Sequence, residues 1–326
     1  MKNNRFKSLL RNMYHILSGK ICQRLDTLQQ EINNQKELIN KIKKDELLNY
    51  INTIKFQIMY YYKDNAESEQ YKDEIEYVKN NAIFVFPYDQ KESNYDIIAD
   101  LDKDKNLPYV IHKQKKLYFP STFTIETVKA IYRDYIENEG LLGNGLRRKS
   151  PHQYESKSFF LEKNDILLDL GCAEALFSLD KVELATKIFL IESNPMWLDP
   201  LKATFEPWKD KVIIIDKFIT NKVSKNTTTL QDILKNDNDN NLFIKMDIEG
   251  NELDVLKSSL DFLSKKRNVK IATCTYHRAN DFEDISNLLK KHEYSLEVSD
   301  GYMVFVHDRN LTYPFFRHGL IRAVKQ

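Results

Sequence analysis

The chain has 326 residues, 42% hydrophobic and 30% charged, which fits a folded protein with more than one structural unit. Its formal net charge of +1 gives no electrostatic footprint for nucleic acid or an anionic membrane. No apolar run approaches the ~20 residues of a membrane helix, and the distant cysteines Cys22, Cys172 and Cys274 form neither a CxxC pair nor a disulfide framework, as expected in a reducing, cytoplasmic setting.

Residues 1–80 contain no proline and one glycine, Gly19. The basic start MKNNRFKSLLRNMYHIL lacks a long apolar core and a small-residue cleavage site, so it reads as part of the mature protein. Ile21, Leu25, Leu28, Ile32, Gln35, Ile39 and Ile42 then recur in alternating steps of four and three. This stripe predicts a long amphipathic helix, packed on its own domain or paired with a second copy as a coiled coil.

Residues 81–162 change texture. Ala82–Pro87 predicts a short strand, and Tyr109–Pro120 a hairpin turning at Lys113-Gln114. Thr124–Glu139 has helical spacing, and Gly140–Ser150 has the composition of a mobile loop. From 163 to 326, the apolar runs Ile166–Leu170, Ile188–Ile191, Val212–Ile215, Leu242–Met246 and Val269–Thr275 alternate with helical segments. That alternation predicts βαβ units around a parallel sheet. Ser295–Val298 and Tyr302–Val306, around Asp300-Gly301, predict a closing antiparallel hairpin, and Phe315–Lys325 reads as a surface tail.

Four segments carry candidate chemistry. ILLDLGCAEALFSL (166–179) is a strand, a glycine turn and a helix start, the place where open α/β sheets bind ligands. A dinucleotide fingerprint needs three glycines to seat a pyrophosphate; Gly171 stands alone, which suits a cofactor without one. In FLIESNP (189–195), Glu192 ends the next strand, where a carboxylate can hold ribose hydroxyls. LFIKMDIEGNEL (242–253) puts Asp247 and Glu249 at a strand tip, able to position an acceptor or hold a divalent ion. No third metal ligand is apparent, so chemistry without a metal is expected. In IATCTYHRAND (271–281), His277 is the natural general base and Arg278 could bind an anionic group. His152 and Tyr154, in SPHQY just before the sheet, stand where a lid over the site would lie.

At DLGCAEALFSL, IESNP, TLQDIL and IKMDIEGNELDVLK, in that order, the chain resembles the FkbM-type methyltransferases over about residues 150–310. The family turn usually has a second glycine four residues after the first; here Ala175 stands there, and its methyl is expected to narrow the methionine pocket. The hairpin YVIHKQKKLYFP and the segment SPHQY look like a subgroup with an added N-terminal cap. The resemblance implies an α/β class I methyltransferase fold with a seven-stranded Rossmann-like sheet, S-adenosylmethionine as cofactor and a hydroxyl acceptor, such as a sugar of a surface glycan or a natural product. Asp169, Gly171 and Cys172 would line the methionine side and Glu192 the ribose. Asp216, Lys217 and Phe218 would border the adenine. His277 would take the acceptor proton, Asp247 would orient the acceptor or the imidazole, and Glu249, Arg278, His152 and Tyr154 would contact the substrate. Two other classes stay open at this point, a binding protein without turnover and an assembly protein tethered through its heptads.

Overall fold

The computed structural model describes residues 2–93, 96–237 and 241–325, with side chains described at position 24 and from position 28 on. The chain divides into two compact units, 1–57 and 58–326. The first belongs to helix α1 (Lys2–Tyr61). Of the heptad residues, Ile21 and Leu25 fall outside the described side chains; Leu28, Ile32, Ile39 and Ile42 are exposed by 38–50%. No described helix is long and apolar enough to cross a membrane.

The second unit begins with α2 (Lys72–Asn80). Ala82–Pro87 is not a strand: it buries Ile83 and Phe86, and Val304 N–H bonds Val85 across from it at 2.8 Å, but no ladder forms. The expected hairpin is present as β2 (Leu107–His112) and β3 (Lys115–Tyr118), joined by β1 (Ala99–Asp102). Lys113 and Gln114 both take positive φ, the conformation of a tight hairpin turn. Helix α3 (Ile125–Arg133) starts where the Thr124 hydroxyl accepts from Thr127 N–H at 3.2 Å. It widens into a π-helical turn, Asp134–Glu139, and stops at Gly140, φ 62°.

The main sheet has seven strands: β4 (Ile166–Leu170), β5 (Lys187–Ile191), β6 (Val212–Ile215), β7 (Leu242–Met246), β8 (Val269–Cys274), β9 (Ser295–Val298) and β10 (Leu320–Lys325). Their order is β9-β10-β8-β7-β4-β5-β6, and β10 is antiparallel to both neighbours. The pairs β4–β5, β4–β7, β5–β6 and β7–β8 are parallel. This is the seven-stranded, Rossmann-like α/β sheet expected from the sequence. Helices α4 (Leu176–Lys181), α5 (Leu198–Phe205), α6 (Glu252–Leu263) and α7 (Asp281–Lys291) connect the strands.

The end of the sheet departs from expectation. Ser295–Val298 does not form a hairpin with Tyr302–Val306; its partner is Leu320–Lys325, and Tyr302–Met303 pairs with Arg317–His318. The presumed surface tail is an inner strand. Its arginines can be buried because their charges are met: Arg322 bonds Glu297 and the carbonyls of Gln153 and Tyr154, and Arg317 bonds Asp308 and the carbonyls of Tyr276 and His277.

Alternation along the strands splits the core into two faces. Leu167, Phe243, Ala272, Cys274 and Leu320 pack with the cap residues Val110, Leu117, Phe119, Val128, Tyr132 and Tyr154. Leu168, Ile244, Ile271 and Ile321 pack on the other face, against Val255, Leu256 and Leu260 of α6 and Ile285 of α7. Each fully buried Leu or Ile contributes about 1.5–3 kcal/mol. The cap therefore covers the face to which Cys274 belongs.

Candidate active site

The turn after β4 is built around Gly171, at φ +70°. A Cβ there would lie 2.0 Å from the carbonyl oxygen of Asp247, so only glycine lets the ends of β4 and β7 approach this closely. Lys245, the register partner of Asp169, bonds the Gly171 carbonyl at 2.7 Å and the Asp169 carboxylate at 3.0 Å. Asp169 also accepts from Ser178 at 2.7 Å. Burial alone would lower the Lys245 pKa, but Asp169 and Asp247 more than offset this and hold it charged. Ala175 sits at φ 60° as the N-cap of α4. Its methyl is buried in the core and is not among the residues lining either cavity described below. The expected narrowing of the methionine pocket is thus not seen. What the missing glycine changes is the backbone, where alanine holds a left-handed conformation at about 1 kcal/mol.

Two cavities meet at the strand ends. The outer, of about 390 Å³, is lined by Glu192, Asn194, Trp197, Lys217, Phe218 and Glu249, among others. Glu192 accepts from Ala173 N–H at 2.9 Å and from Asn194 N–H at 2.7 Å, so two backbone bonds fix its carboxylate. Asp216 is exposed and does not line this cavity. Glu249 is 90% exposed along its side chain and sits at φ 57°, next to Gly250 at φ 89°. The inner cavity, of about 200 Å³, is lined by Tyr135, Glu139, His152, Tyr154, Glu174 and Tyr276, with Asp169, Cys172, Lys245 and others. Gly171, Ala173 and Asp247 line both cavities.

Asp247 is the hub. Its Oδ2 lies 3.3 Å from His152 Nε2 and accepts from the Tyr154 hydroxyl at 3.3 Å; its Oδ1 accepts from the Tyr276 hydroxyl at 3.0 Å and lies 3.5 Å from His277 Nε2. Burial would raise the Asp247 pKa, but His152, Lys245 and His277 hold it well below the carboxylate range. Burial and the Asp247 charge push the Tyr154 and Tyr276 hydroxyls well above their ordinary values, so both remain donors. His152 Nδ1 meets Glu139 at 2.7 Å, and Nε2 lies 3.4 Å from Cys274 Sγ. Burial pushes the Cys274 thiol up to about 12, and that of Cys172 also rises. Burial would lower His152, yet its neighbours raise it well above 6.5. Because Cys274 is a neutral thiol at pH 7, the charges acting on His152 there are Asp247 and Glu139.

His277 lies behind Asp247, with Nδ1 3.3 Å from Glu252 and Nε2 3.7 Å from Glu249, and it lines neither cavity. Burial would lower its pKa; Glu252, Asp247 and Glu249 raise it overall. Arg278 is exposed, stands over Gly250 and lines neither cavity. The residues that sequence reasoning missed are Tyr135, Glu139, Glu174 and Lys245. The first two come from the π-helical turn, where the added residue per turn leaves no regular period to read. Glu174 lies inside a recognised motif but shows its role only through burial, which raises its carboxyl to about 7.

Residues 182–296 match the model of the methyltransferase FkbM domain. No curated protein matches the chain. Among solved structures, similar chains include a precorrin-6y C5,15-methyltransferase from Geobacter metallireducens, with 15% identity, 50% of this chain and 80% of that chain covered, and a TM-score of 0.32. A Streptococcus mutans protein assigned as a methyltransferase, in complex with SAH, has 15% identity, coverage of 51% and 91%, and a TM-score of 0.35. The tRNA m1G37 methyltransferase of M. jannaschii has 16% identity, coverage of 68% and 57%, and a TM-score of 0.35.

Proposed function

We propose that this chain, whose residues 182–296 match the methyltransferase FkbM domain, is an S-adenosylmethionine-dependent methyltransferase that acts on a hydroxyl group of a sugar or small natural product. The observation that carries the reading is the pair of cavities sharing Gly171, Ala173 and Asp247. The outer one suits the cofactor: Glu192 would accept from the ribose hydroxyls, and Phe218 and Trp197 would flank the adenine. The inner one suits an acceptor with several hydroxyls, since its carboxylates and three tyrosines can accept and donate at many points. S-adenosylmethionine supplies an electrophilic methyl group.

The remaining work falls to the chain's own residues. Transfer is an in-line displacement, so aligning the acceptor oxygen is the main task. Asp247 would hold the acceptor hydroxyl, with Tyr154 and Tyr276 fixing the carboxylate. His277, behind Asp247 and 3.5 Å from it, would receive the proton through that carboxylate. The neutral imidazole that this requires is available above its raised pKa. We also infer a cytoplasmic protein that self-associates through its N-terminal helix. The test is calorimetric titration with S-adenosylhomocysteine. The wild type should bind at micromolar Kd, and Glu192→Ala should bind on the order of tenfold or more weakly, the loss of a charge-assisted hydrogen-bond pair. Equal affinity in both would overturn the ribose assignment, and no binding by the folded wild type would overturn the cofactor cavity.

A further inference from the structure

We propose that His152, Asp247 and Cys274 form a site for a zinc ion at the back of the inner cavity. His152 Nε2, a carboxylate oxygen of Asp247 and Cys274 Sγ all lie within 4.8 Å of one another. Two of the edges are 3.3 Å, from Nε2 to Asp247 Oδ2, and 3.4 Å, from Nε2 to Sγ. Tetrahedral angles on zinc bonds of about 2.0–2.3 Å give ligand-to-ligand edges of roughly 3.3–3.6 Å. Two of the three edges thus already match the spacing of a four-coordinate ion, and the third, from Asp247 to Cys274, lies within 4.8 Å.

The surroundings of His152 favour this use. Its Nδ1 is bonded to Glu139 at 2.7 Å. A carboxylate on one ring nitrogen fixes the tautomer and leaves the other nitrogen's lone pair for a metal, as in carboxylate–histidine–zinc arrangements. Binding would displace the Cys274 thiol proton and the His152 Nε2 proton to solvent, and the imidazole, carboxylate and thiolate left behind form a set that selects zinc over magnesium or calcium. His152 and Asp247 line the inner cavity and Cys274 does not, so the fourth position is left to water or an acceptor oxygen from that cavity. An ion there would polarise the acceptor hydroxyl, and its proton would still pass to the His277 side of Asp247.

A second group of potential ligands, Asp247, Glu252 and His277, also has its donor atoms within 4.8 Å of one another, but it shares Asp247 with the first, and neither His277 nor Glu252 lines the inner cavity. His277 holds Nδ1 3.3 Å from Glu252 and Nε2 3.5 Å from Asp247. Glu252 also accepts from Ile248 N–H at 2.8 Å. That group orients the imidazole.

Metal binding can be read without turnover, so its test is separate from that of methyl transfer. Titration of the full-length, chelator-treated protein with Co²⁺ should give one equivalent bound, four-coordinate visible bands and a sulfur-to-cobalt charge-transfer band in the near ultraviolet. Cys274→Ser should lose the charge-transfer band, and Cys172→Ser should keep it. Competition with a chromophoric chelator should show Glu139→Gln binding Zn²⁺ about 10–100-fold more weakly than the wild type. A folded wild type with no charge-transfer band overturns the site without recourse to any variant, and a band that persists in Cys274→Ser overturns the assignment of its sulfur.

Discussion

At the scale of single residues, the site depends on charges held where water is scarce. Burial raises the Glu174 carboxyl to about 7 from an ordinary 4.5, against the lowering effect of its backbone bonds and Lys245. A carboxyl raised on folding contributes stability that is fully present below about pH 4.5 and lost as pH rises to about 7. The shift corresponds to on the order of 3 kcal/mol. Urea unfolding at pH 5 and pH 8 should show that loss in the wild type, and Glu174→Gln, which cannot ionise, should reduce it by a comparable amount. An unchanged pH dependence in the variant would mean that Glu174 is solvated in the folded protein. His277 has the opposite chemistry and the same direction of shift. Its proton is held above the ordinary 6.5 chiefly by Glu252 and Asp247, against the lowering effect of burial. As a base it works only when neutral, so kcat should rise with pH through a value above ~6.5. His277→Ala should lower kcat about 10²–10⁴-fold and leave S-adenosylhomocysteine affinity nearly unchanged. Wild-type turnover in that variant would refute the base role.

At the scale of elements, the seventh strand links the sheet to the cap. Arg322, buried in β10, bonds Glu297 at 2.7 Å and the carbonyls of Gln153 and Tyr154 at 2.6 and 3.2 Å. These carbonyls belong to the segment that carries His152 and Tyr154 into the inner cavity. Arg322→Met would keep much of the packing but leave the carbonyls unmet, and should lower unfolding free energy by about 2–4 kcal/mol in denaturant titration. A change under about 0.5 kcal/mol would mean that water replaces the guanidinium. The same arginine explains why this strand was hidden in the sequence. LIRAVK looks like a mixed surface tail because the partners that neutralise Arg322 come from positions 153, 154 and 297. The five parallel strands were legible because each is a short, mostly apolar run, and all but the edge strand β6 are buried on both faces. Asp300-Gly301 gave a true turn signal, but a turn does not say which strand the chain will pair with next. The outer cavity was largely legible too, since Gly171 and Glu192 sit at strand ends that the motif spacing locates. The inner cavity was not, because Glu139 and Tyr135 approach Asp247 from a segment more than a hundred positions earlier.

At the scale of the whole molecule, the residues lining both cavities lie between 135 and 276, inside the unit that spans 58–326. Among the described residues of 1–57 none lines either cavity. The helix of that unit exposes Leu28, Ile32, Ile39 and Ile42 at heptad spacing, by 38%, 45%, 50% and 49%. A single such residue on a surface needs no explanation, but a stripe along one helix face is the pattern that pairs helices. Gln35 in the middle of the stripe can fix the register of a pair at some cost in stability. The full chain should therefore sediment as a dimer at micromolar concentration, and residues 58–326 as a monomer. The shortened chain should bind S-adenosylhomocysteine with an affinity within about twofold of the full chain, since a site that takes no residue from the helix has no differential contact through which to sense its loss. If the full chain sediments as a monomer, the stripe is a solvated face and the dimer is refuted. If the shortened chain folds but loses cofactor binding, the helix supports the site by a route that its lining residues do not reveal.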